Sequence, residues 1–382
     1  SFNMKKIYFD IAATTPVDPK VATLMSHIMT QTFGNPSSIH KFGQESHSVI
    51  ERARLQLVTA LNCKPGEIIF TGGGSESNNL VLQGILNSGD HIITSAYEHP
   101  AILNVVEALQ TKGVEATLID PNENGVIDCT EVISAIKPNT KLISVMAVNN
   151  ELGTINPIAK LGEISVENNI LFHTDAVQMF GKLPMDLSEI HIDFMSISAH
   201  KLYGPKGVGA LYIREGNKLP AILHGGGQEN NLRPGTENIS GIAGFGLAAE
   251  LATVNLPTNI ENILELEKRF LKALTENGIE FTRHCKSHIP GLMNISFHNV
   301  NSKPLLMNLD MEGVAISAGS ACASGTLKAS KVLLQIGVSE KLASESVRIS
   351  LGKFHSKKDV DYTIQKITEL IPRLQKTAES NA

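Results

Sequence analysis

From about residue 67 to residue 213 the chain repeats one alternation, a short apolar run rich in β-branched residues followed by a longer segment of helical period. The runs are "EIIFT", "HIITS", "VEATLI", "KLISVMAV", "ILFHTD", "FMSIS" and "VGALYI". Strands so continuously apolar must be covered on both faces, and parallel neighbours need a crossover that a helix supplies. The pattern therefore restricts this stretch to the α/β class, a mostly parallel sheet between two layers of helices. Upstream, Ile50, Ala53, Leu57 and Leu61 fall on one stripe, which predicts a long amphipathic helix over 40–62.

After the Gly-rich stretch 224–236 the regularity is lost. A helix is expected at about 239–254 and a charged one at about 258–277. Scattered strands follow in "GLMNISF", "GVAIS" and "SVRISL", and a last helix over about 357–376. A chain of 382 residues favours about two domains. The expected division is a large domain over 16–256 and a smaller α+β domain built from 4–15 and 257–382.

Net charge is −5 and no block of Lys or Arg stands out, so the electrostatic footprint of a nucleic-acid or anionic-membrane binder is missing. Any phosphate must be held by local geometry. The most apolar helical stretch, "GIAGFGLAAELATV", is too short for a bilayer and carries Glu250. Cys63, Cys129, Cys285 and Cys322 are scattered, with neither CxxC nor HExxH. That argues against a disulfide framework or a structural zinc, and for a reducing compartment. With no charged-then-apolar leader pattern at the start, the expected location is cytoplasmic.

In open α/β sheets ligands bind beyond the carboxyl ends of the strands. Read in order, those ends are Gly72-Gly73-Gly74-Ser75, Glu98-His99, Asn149-Asn150-Glu151, Asp175 with Gln178, and Ser198-Ala199-His200-Lys201. Each has a plain reading of its own: a Gly turn with a Ser cap, a core histidine, a capping carboxylate, a lysine reaching solvent. Together they describe one cavity. "TGGGSES" opening a helix is a seat for an anion, though it is neither a Walker loop nor a dinucleotide fingerprint. "HGGGQENNLRPGT" resembles an esterase oxyanion loop, but the chain has no GxSxG, which excludes that chemistry.

Pyridoxal phosphate accounts for the whole set, since it needs a lysine for a Schiff base, an acid at its pyridine nitrogen and an anion seat. Lys201, Asp175 and the helix start at Gly74 and Ser75 supply these. "SAGSAC" places Cys322 among small residues, a context that fits a mobile loop at about 318–328, although a cysteine is more often a buried apolar residue.

The motifs "YFDIAATTPVDP", "FGNPSS", "EHPAIL", "VNNELG", "DAVQ", "SAHKLYGPKGVGALY", "RPGTEN", "SAGSAC" and "VRISLG" run in one order over nearly the whole chain. The chain resembles the pyridoxal-phosphate cysteine desulfurases of the NifS/IscS-like type, in the aminotransferase class V family. The resemblance implies fold type I with a seven-stranded sheet. It also implies conversion of L-cysteine to L-alanine, with the sulfur carried as a persulfide on Cys322 to an acceptor for iron–sulfur cluster assembly or tRNA thiolation. Lys201 would be the Schiff-base lysine, Asp175 the partner of the pyridine nitrogen and His99 the stacking residue and proton carrier. Gln178 would meet the phenolic oxygen and Asn150 the ring substituents. Gly74, Ser75, Ser198 and His200 would hold the phosphate. Thr236 would reach the phosphate of a second subunit, making the protein a homodimer. Arg348 would take the substrate carboxylate in a bidentate pair, with Asn35 a secondary candidate for the same task. Two departures stand out: Ser75 where a Thr is usual, and "ASGTLKAS" without the usual Glu-Pro after the cysteine. Other fold type I enzymes, such as a selenocysteine lyase or a transaminase, and a non-catalytic pyridoxal-phosphate-binding sulfur carrier remain as alternatives.

Overall fold

The computed structural model describes residues 6–318 and 329–380. Its strands are β1 (Ile7–Tyr8), β2 (Ile68–Thr71), β3 (His91–Ser95), β4 (Glu115–Ile119), β5 (Thr140–Ser144), β6 (Leu171–Asp175), β7 (Phe194–Ser198), β8 (Gly209–Ile213), β9 (Phe281–Arg283), β10 (Leu292–Phe297), β11 (Val314–Ala315) and β12 (Ser346–Ser350). Seven of them form one sheet in the order β2-β8-β7-β6-β5-β3-β4. β8 runs antiparallel to both neighbours, and the other pairings are parallel. The expected α/β sheet is thus present, with its seven strands on the seven apolar runs. Fully buried β3, β7 and β8 alternate with nothing polar-out, whereas β4, the edge strand, exposes Glu115 and Leu118.

One polar rung crosses the sheet interior. His173 on β6 bonds Ser144 of β5 through Nδ1 at 2.7 Å and Ser196 of β7 through Nε2 at 3.0 Å. Burial pushes its pKa down to about 3, so the ring is neutral and satisfied by two hydroxyls rather than by a counter-ion.

The helix expected over 40–62 is found at Lys41–Leu61 and buries Ile50, Ala53, Leu57 and Leu61. It ends on Asn62 in the left-handed region, φ 50°. The apolar stretch beginning at Gly241 lies in the helix Ile239–Val254, which packs against Lys41–Leu61 and is mostly buried. A Cβ at Gly246 would come within 2.7 Å of the Ala53 Cα, so the glycine permits the two helix backbones to approach. This helix is apolar because it is core. Among the described residues no single helix is long and apolar enough to cross a membrane.

A second apolar cluster, including Phe9, Phe270, Met293, Ile295, Phe297, Leu305, Val347, Ile349 and Ile367, lies on the antiparallel sheet β12-β10-β9. The helices Leu256–Glu276, Ser302–Met311 and Lys357–Ser380 contribute to it. The first of these starts slightly earlier than expected because Pro257 occupies its first turn, where no N–H is needed. The helix Pro19–Gln31, capped by the Asp18 side chain, and the short β9 are additions to the expected elements. "GVAIS" yields only the two-residue β11, parallel to β1.

The segment after β1 ties this cluster to the seven-stranded sheet. Ser350 N–H donates to the Phe9 carbonyl at 2.9 Å, and Ala12 N–H donates to the Ser350 hydroxyl at 2.9 Å. A few residues later Thr15 N–H donates to the His200 carbonyl at 2.9 Å. Residues 12–15 are in this way laid directly under the end of β7.

Candidate active site

The carboxyl ends of β3, β5, β6 and β7 open into a cleft of about 650 Å³. Ten of the thirteen residues singled out from the sequence line it: Gly74, Ser75, His99, Asn150, Asp175, Gln178, Ser198, His200, Lys201 and Arg348. Asn35 and Thr236 are exposed and lie outside it in the single chain. Cys322 falls outside the described residues.

Lys201 follows β7 on a short 3-10 turn, Ala199–Lys201. Its Nζ donates to the Ala12 carbonyl at 2.8 Å and the Ala13 carbonyl at 2.6 Å. Burial, then the nearby Arg348 charge, bring its pKa down to about 8, while Asp175 and Asp10 pull the other way. A lysine in this condition has a sizeable uncharged fraction near neutrality and is a competent nucleophile. The neighbouring His200 is held neutral: burial and Lys201 push it to about 4, and its Nδ1 bonds the Thr14 hydroxyl at 2.9 Å.

Asp175 ends β6. Its Oδ1 accepts from Val177 N–H at 3.0 Å and its Oδ2 from Asn78 Nδ2 at 2.9 Å. Asn78 was not foreseen, yet it lies four residues after Gly74 on the same helix, a spacing that puts both on one face. Its Oδ1 is buried without a hydrogen-bond partner.

The helix Gly74–Ile85 begins after Gly73, whose φ of 155° and lack of side chain leave the first turn uncapped. A Cβ on Gly74 would sit 2.8 Å from Val177 Cγ2, so the start of the helix is pressed against the residue that bonds Asp175. Glu76, in the same first turn, is directed elsewhere: it accepts from Gly72 N–H at 2.8 Å and from Arg233 Nε at 2.8 Å. The free N–H groups at Gly74 and Ser75 therefore keep their capacity for an anion.

His99 caps the helix Pro100–Gln110, its Nδ1 accepting from Ala101 N–H at 3.0 Å. That bond assigns the neutral tautomer with the proton on Nε2. Burial against the cleft wall keeps its pKa below the ordinary value, opposed by Asp175 and aided by Lys201. Glu98, just before it, is buried in the wall. Its Oε2 accepts from the Ser95 hydroxyl and from Met146 N–H, while Oε1 has no partner. Burial raises its pKa to about 8, with Asp175 adding to the rise.

Arg348, on β12, brings the second cluster to the cleft. Nη1 donates to the Asn150 carbonyl at 2.8 Å and Nη2 to Asp10 Oδ1 at 3.0 Å, while Nε is buried without a partner. Asp10 and Glu151 also line the cleft. Glu151 accepts from the Ser330 hydroxyl at 2.7 Å, and burial raises its pKa to about 7. Asn149, by contrast, is structural: it donates to the Tyr97 carbonyl and accepts from Glu151 and Leu152 N–H.

An uncapped helix start, a carboxylate fixed by two donors and a lysine of lowered pKa share one cleft. These groups fit pyridoxal phosphate: an anion seat, a partner for a protonated ring nitrogen and an amine for an aldehyde. Among the described residues no cluster of His, Cys, Asp and Glu could hold a metal ion.

The comparisons with known proteins agree. The family model for aminotransferase class-V matches residues 7–363. The chain is similar to the cysteine desulfurase IscS of Dictyoglomus turgidum, 43% identical over 97% of this chain and 96% of that one. It is also similar to the cysteine desulfurase of Rattus norvegicus, 41% identical over 97% of this chain and 84% of that one. Among solved structures, a NifS-like protein superposes with a TM-score of 0.91 at 34% identity, covering 97% of this chain and all of that one. SspA, solved in complex with cysteine, superposes with a TM-score of 0.81 at 37% identity, covering 92% of this chain. By sequence, fold and the groups gathered in its cleft, the chain belongs to the aminotransferase class-V family, and within that pyridoxal-phosphate-dependent family it is a cysteine desulfurase.

Proposed function

We propose that this desulfurase passes the sulfur of L-cysteine to Cys322 as a persulfide, and from there to an acceptor protein serving iron–sulfur cluster assembly or tRNA thiolation in the cytoplasm. In this reading Lys201 engages the aldehyde of pyridoxal 5'-phosphate, Asp175 meets the pyridine nitrogen and His99 lies against the ring. Gln178 meets the phenolic oxygen and Asn150 the ring substituents. Gly74, Ser75, Ser198 and His200 hold the phosphate, and Thr236 reaches the phosphate of the second subunit in a homodimer. The same reading divides the chain at 256/257, supported by the cluster on β12-β10-β9, which is built from Ile7, Phe9 and residues from Ile263 onward, although Ile289, Leu292, Val332, Leu333 and Ile336 pack with the core of the large sheet.

When bound, the cofactor supplies a sink for the electrons left at the substrate Cα. The chain's own groups do the rest. Uncharged Lys201 takes up a proton at Nζ, with the Ala12 and Ala13 carbonyls ready to receive the resulting ammonium. His99, its Nδ1 already occupied, hands over or recovers a proton at Nε2. Arg348 takes the substrate carboxylate by exchanging Asp10 and the Asn150 carbonyl for it, with the unpartnered Nε as a further donor. Cys322 attacks the substrate sulfur as a thiolate, so that the S–S bond forms as the substrate Cβ–S bond breaks, its electron pair leaving on the carbon fragment that is protonated to alanine.

The observation that carries this reading is the meeting of Lys201, Asp175 and the uncapped helix start in a single cleft of a desulfurase fold. The test is incubation with L-cysteine and no added thiol, followed by alanine assay and mass analysis of the peptide spanning 318–328. An extra sulfur is expected on Cys322 in the native protein, none in Cys322→Ser, and no alanine from Lys201→Ala. Sulfur on another residue, or undiminished sulfide production by Cys322→Ser, would overturn the assignment.

A further inference from the structure

Three residues after Asp175, Gln178 is buried against the N-terminal segment, and Gly181 (φ 81°) then turns the chain back. The turn carries Lys182 inward, four residues after Gln178. Its Nζ donates to Gln178 Oε1 at 2.7 Å, and Gln178 Nε2 donates to the Ala12 carbonyl at 2.9 Å. That carbonyl is also one of the two that hold Lys201, at 2.8 Å. Lys182, Gln178, Ala12 and Lys201 thus form one continuous chain of hydrogen bonds, in which the Gln178 carboxamide and the Lys201 amine share a single backbone oxygen and Lys182 holds the far end of that carboxamide.

We propose that Lys182 is a positioning residue for the reaction: by donating to Gln178 it fixes the carboxamide and thereby sets how the Ala12 carbonyl holds the Lys201 amine. The proposal rests on the reading of Lys201 as the amine that engages the aldehyde.

The surroundings keep the donor uncharged. Burial first, then Lys201 and Arg348, bring Lys182 down to about 7. His200 is lowered by it in turn. Asp175 and Asp10 act on Lys201. Tyr203 and Lys353 line the cavity that Lys182 shares with Lys201, and Lys353 is paired with Asp18. Among the described residues no carboxylate makes an ion pair with Lys182. Above about pH 7 it is a neutral amine that still donates to Gln178. When Lys201 takes a proton, a second ammonium nearby would oppose it, so the neutral state of Lys182 favours that step.

The Lys201→Ala protein tests the underlying reading: cofactor-free protein must then fail to develop visible absorption with pyridoxal phosphate, and if absorption develops, the proposed function itself falls. Lys182 variants address the present inference alone. Lys182→Gln keeps a donor without charge, Lys182→Met removes the donor, and Lys182→Arg makes the charge permanent. Three quantities are measured: the pH dependence of pyridoxal phosphate uptake by cofactor-free protein, kcat and KM of the loaded enzyme, and the thermal midpoint.

Lys182→Met is expected to lower kcat about tenfold with little change in KM, because Lys182 does not touch substrate. Lys182→Gln restores most of that loss. Lys182→Arg moves the midpoint of uptake to lower pH by roughly half a unit or more, since a fixed positive charge eases deprotonation of Lys201. The proposal is overturned if Lys182→Met matches the native protein in kcat and uptake. It is equally overturned if Gln and Met variants are impaired alike, with matching losses in thermal midpoint, which would make the side chain a space-filler. Should Lys182→Met not fold, the Gln and Arg variants decide, and coincident uptake curves for those two would refute it.

Discussion

Replacing Glu98 by Gln should make the protein less sensitive to alkaline pH. In the folded chain this carboxyl is buried between the ends of β3 and β5, near Asp175, and its pKa is raised from 4.5 to about 8. In the unfolded chain it ionises near its ordinary value. A raised folded-state pKa contributes stability that is fully present below about 4.5 and is lost as the pH climbs to about 8. Integrating that difference from about pH 5.5 to about pH 8.5 gives a loss of about 3 kcal/mol attributable to this one group. Glu98→Gln cannot ionise, so it escapes the loss, whatever fixed cost its amide carries at the unpartnered Oε1 position.

The assay is urea unfolding of cofactor-free native and variant proteins at both pH values. Far-UV circular dichroism is the probe, because the chain has no tryptophan. The quantity of interest is the change in the native-minus-variant stability between the two pH values, from which pH-independent packing costs cancel. The native protein should lose about 3 kcal/mol relative to Glu98→Gln on going to the higher pH. A gap that stays constant within error would mean Glu98 is ionised in the fold, and the account of its burial would be wrong.

Other outcomes follow from the same geometry. Gly209→Ala should destabilise by about 1–3 kcal/mol and weaken pyridoxal phosphate binding, because a Cβ there would lie 2.7 Å from both the Gly73 Cα and the Ile197 carbonyl oxygen; equilibrium dialysis and thermal unfolding check it. Asn78→Ala should release one of the two hydrogen bonds on Asp175 and weaken cofactor retention roughly tenfold, read as the dissociation rate of the visible absorption. Arg348→Lys should raise KM for cysteine by roughly tenfold or more while the protein still folds, since a lysine cannot reproduce the fork that spans Asp10 and the Asn150 carbonyl. Uptake of pyridoxal phosphate by cofactor-free protein should accelerate as the pH rises through about 8, the range over which Lys201 sheds its proton; a rate flat across that range would contradict the lowered pKa.

Much of this protein was legible in its linear order, because its signals are local. Apolar runs alternating with helical period are enough to require a covered parallel sheet, and in such a sheet the carboxyl ends of the strands mark the site. That is why Lys201, Asp175, His99 and the Gly74 helix start could be picked out one strand at a time. The polar context missed along the chain was of a different kind. Asn78 stands three residues beyond Ser75 and is not picked out by the sequence, and Glu98 reads there only as a polar strand end; burial alone turns one into the clamp on Asp175 and the other into a neutral acid. Lys182 reads as an ordinary surface lysine until Gly181 turns it inward. Asp10 and the Ala12 carbonyl belong to an N-terminal segment more than 180 residues from Lys201, brought beneath it by bonds to Ser350 and His200. Local chemistry chose the groups that can react. Their protonation and their aim are set by desolvation and by long-range contacts, and those exist only once the chain has closed around them.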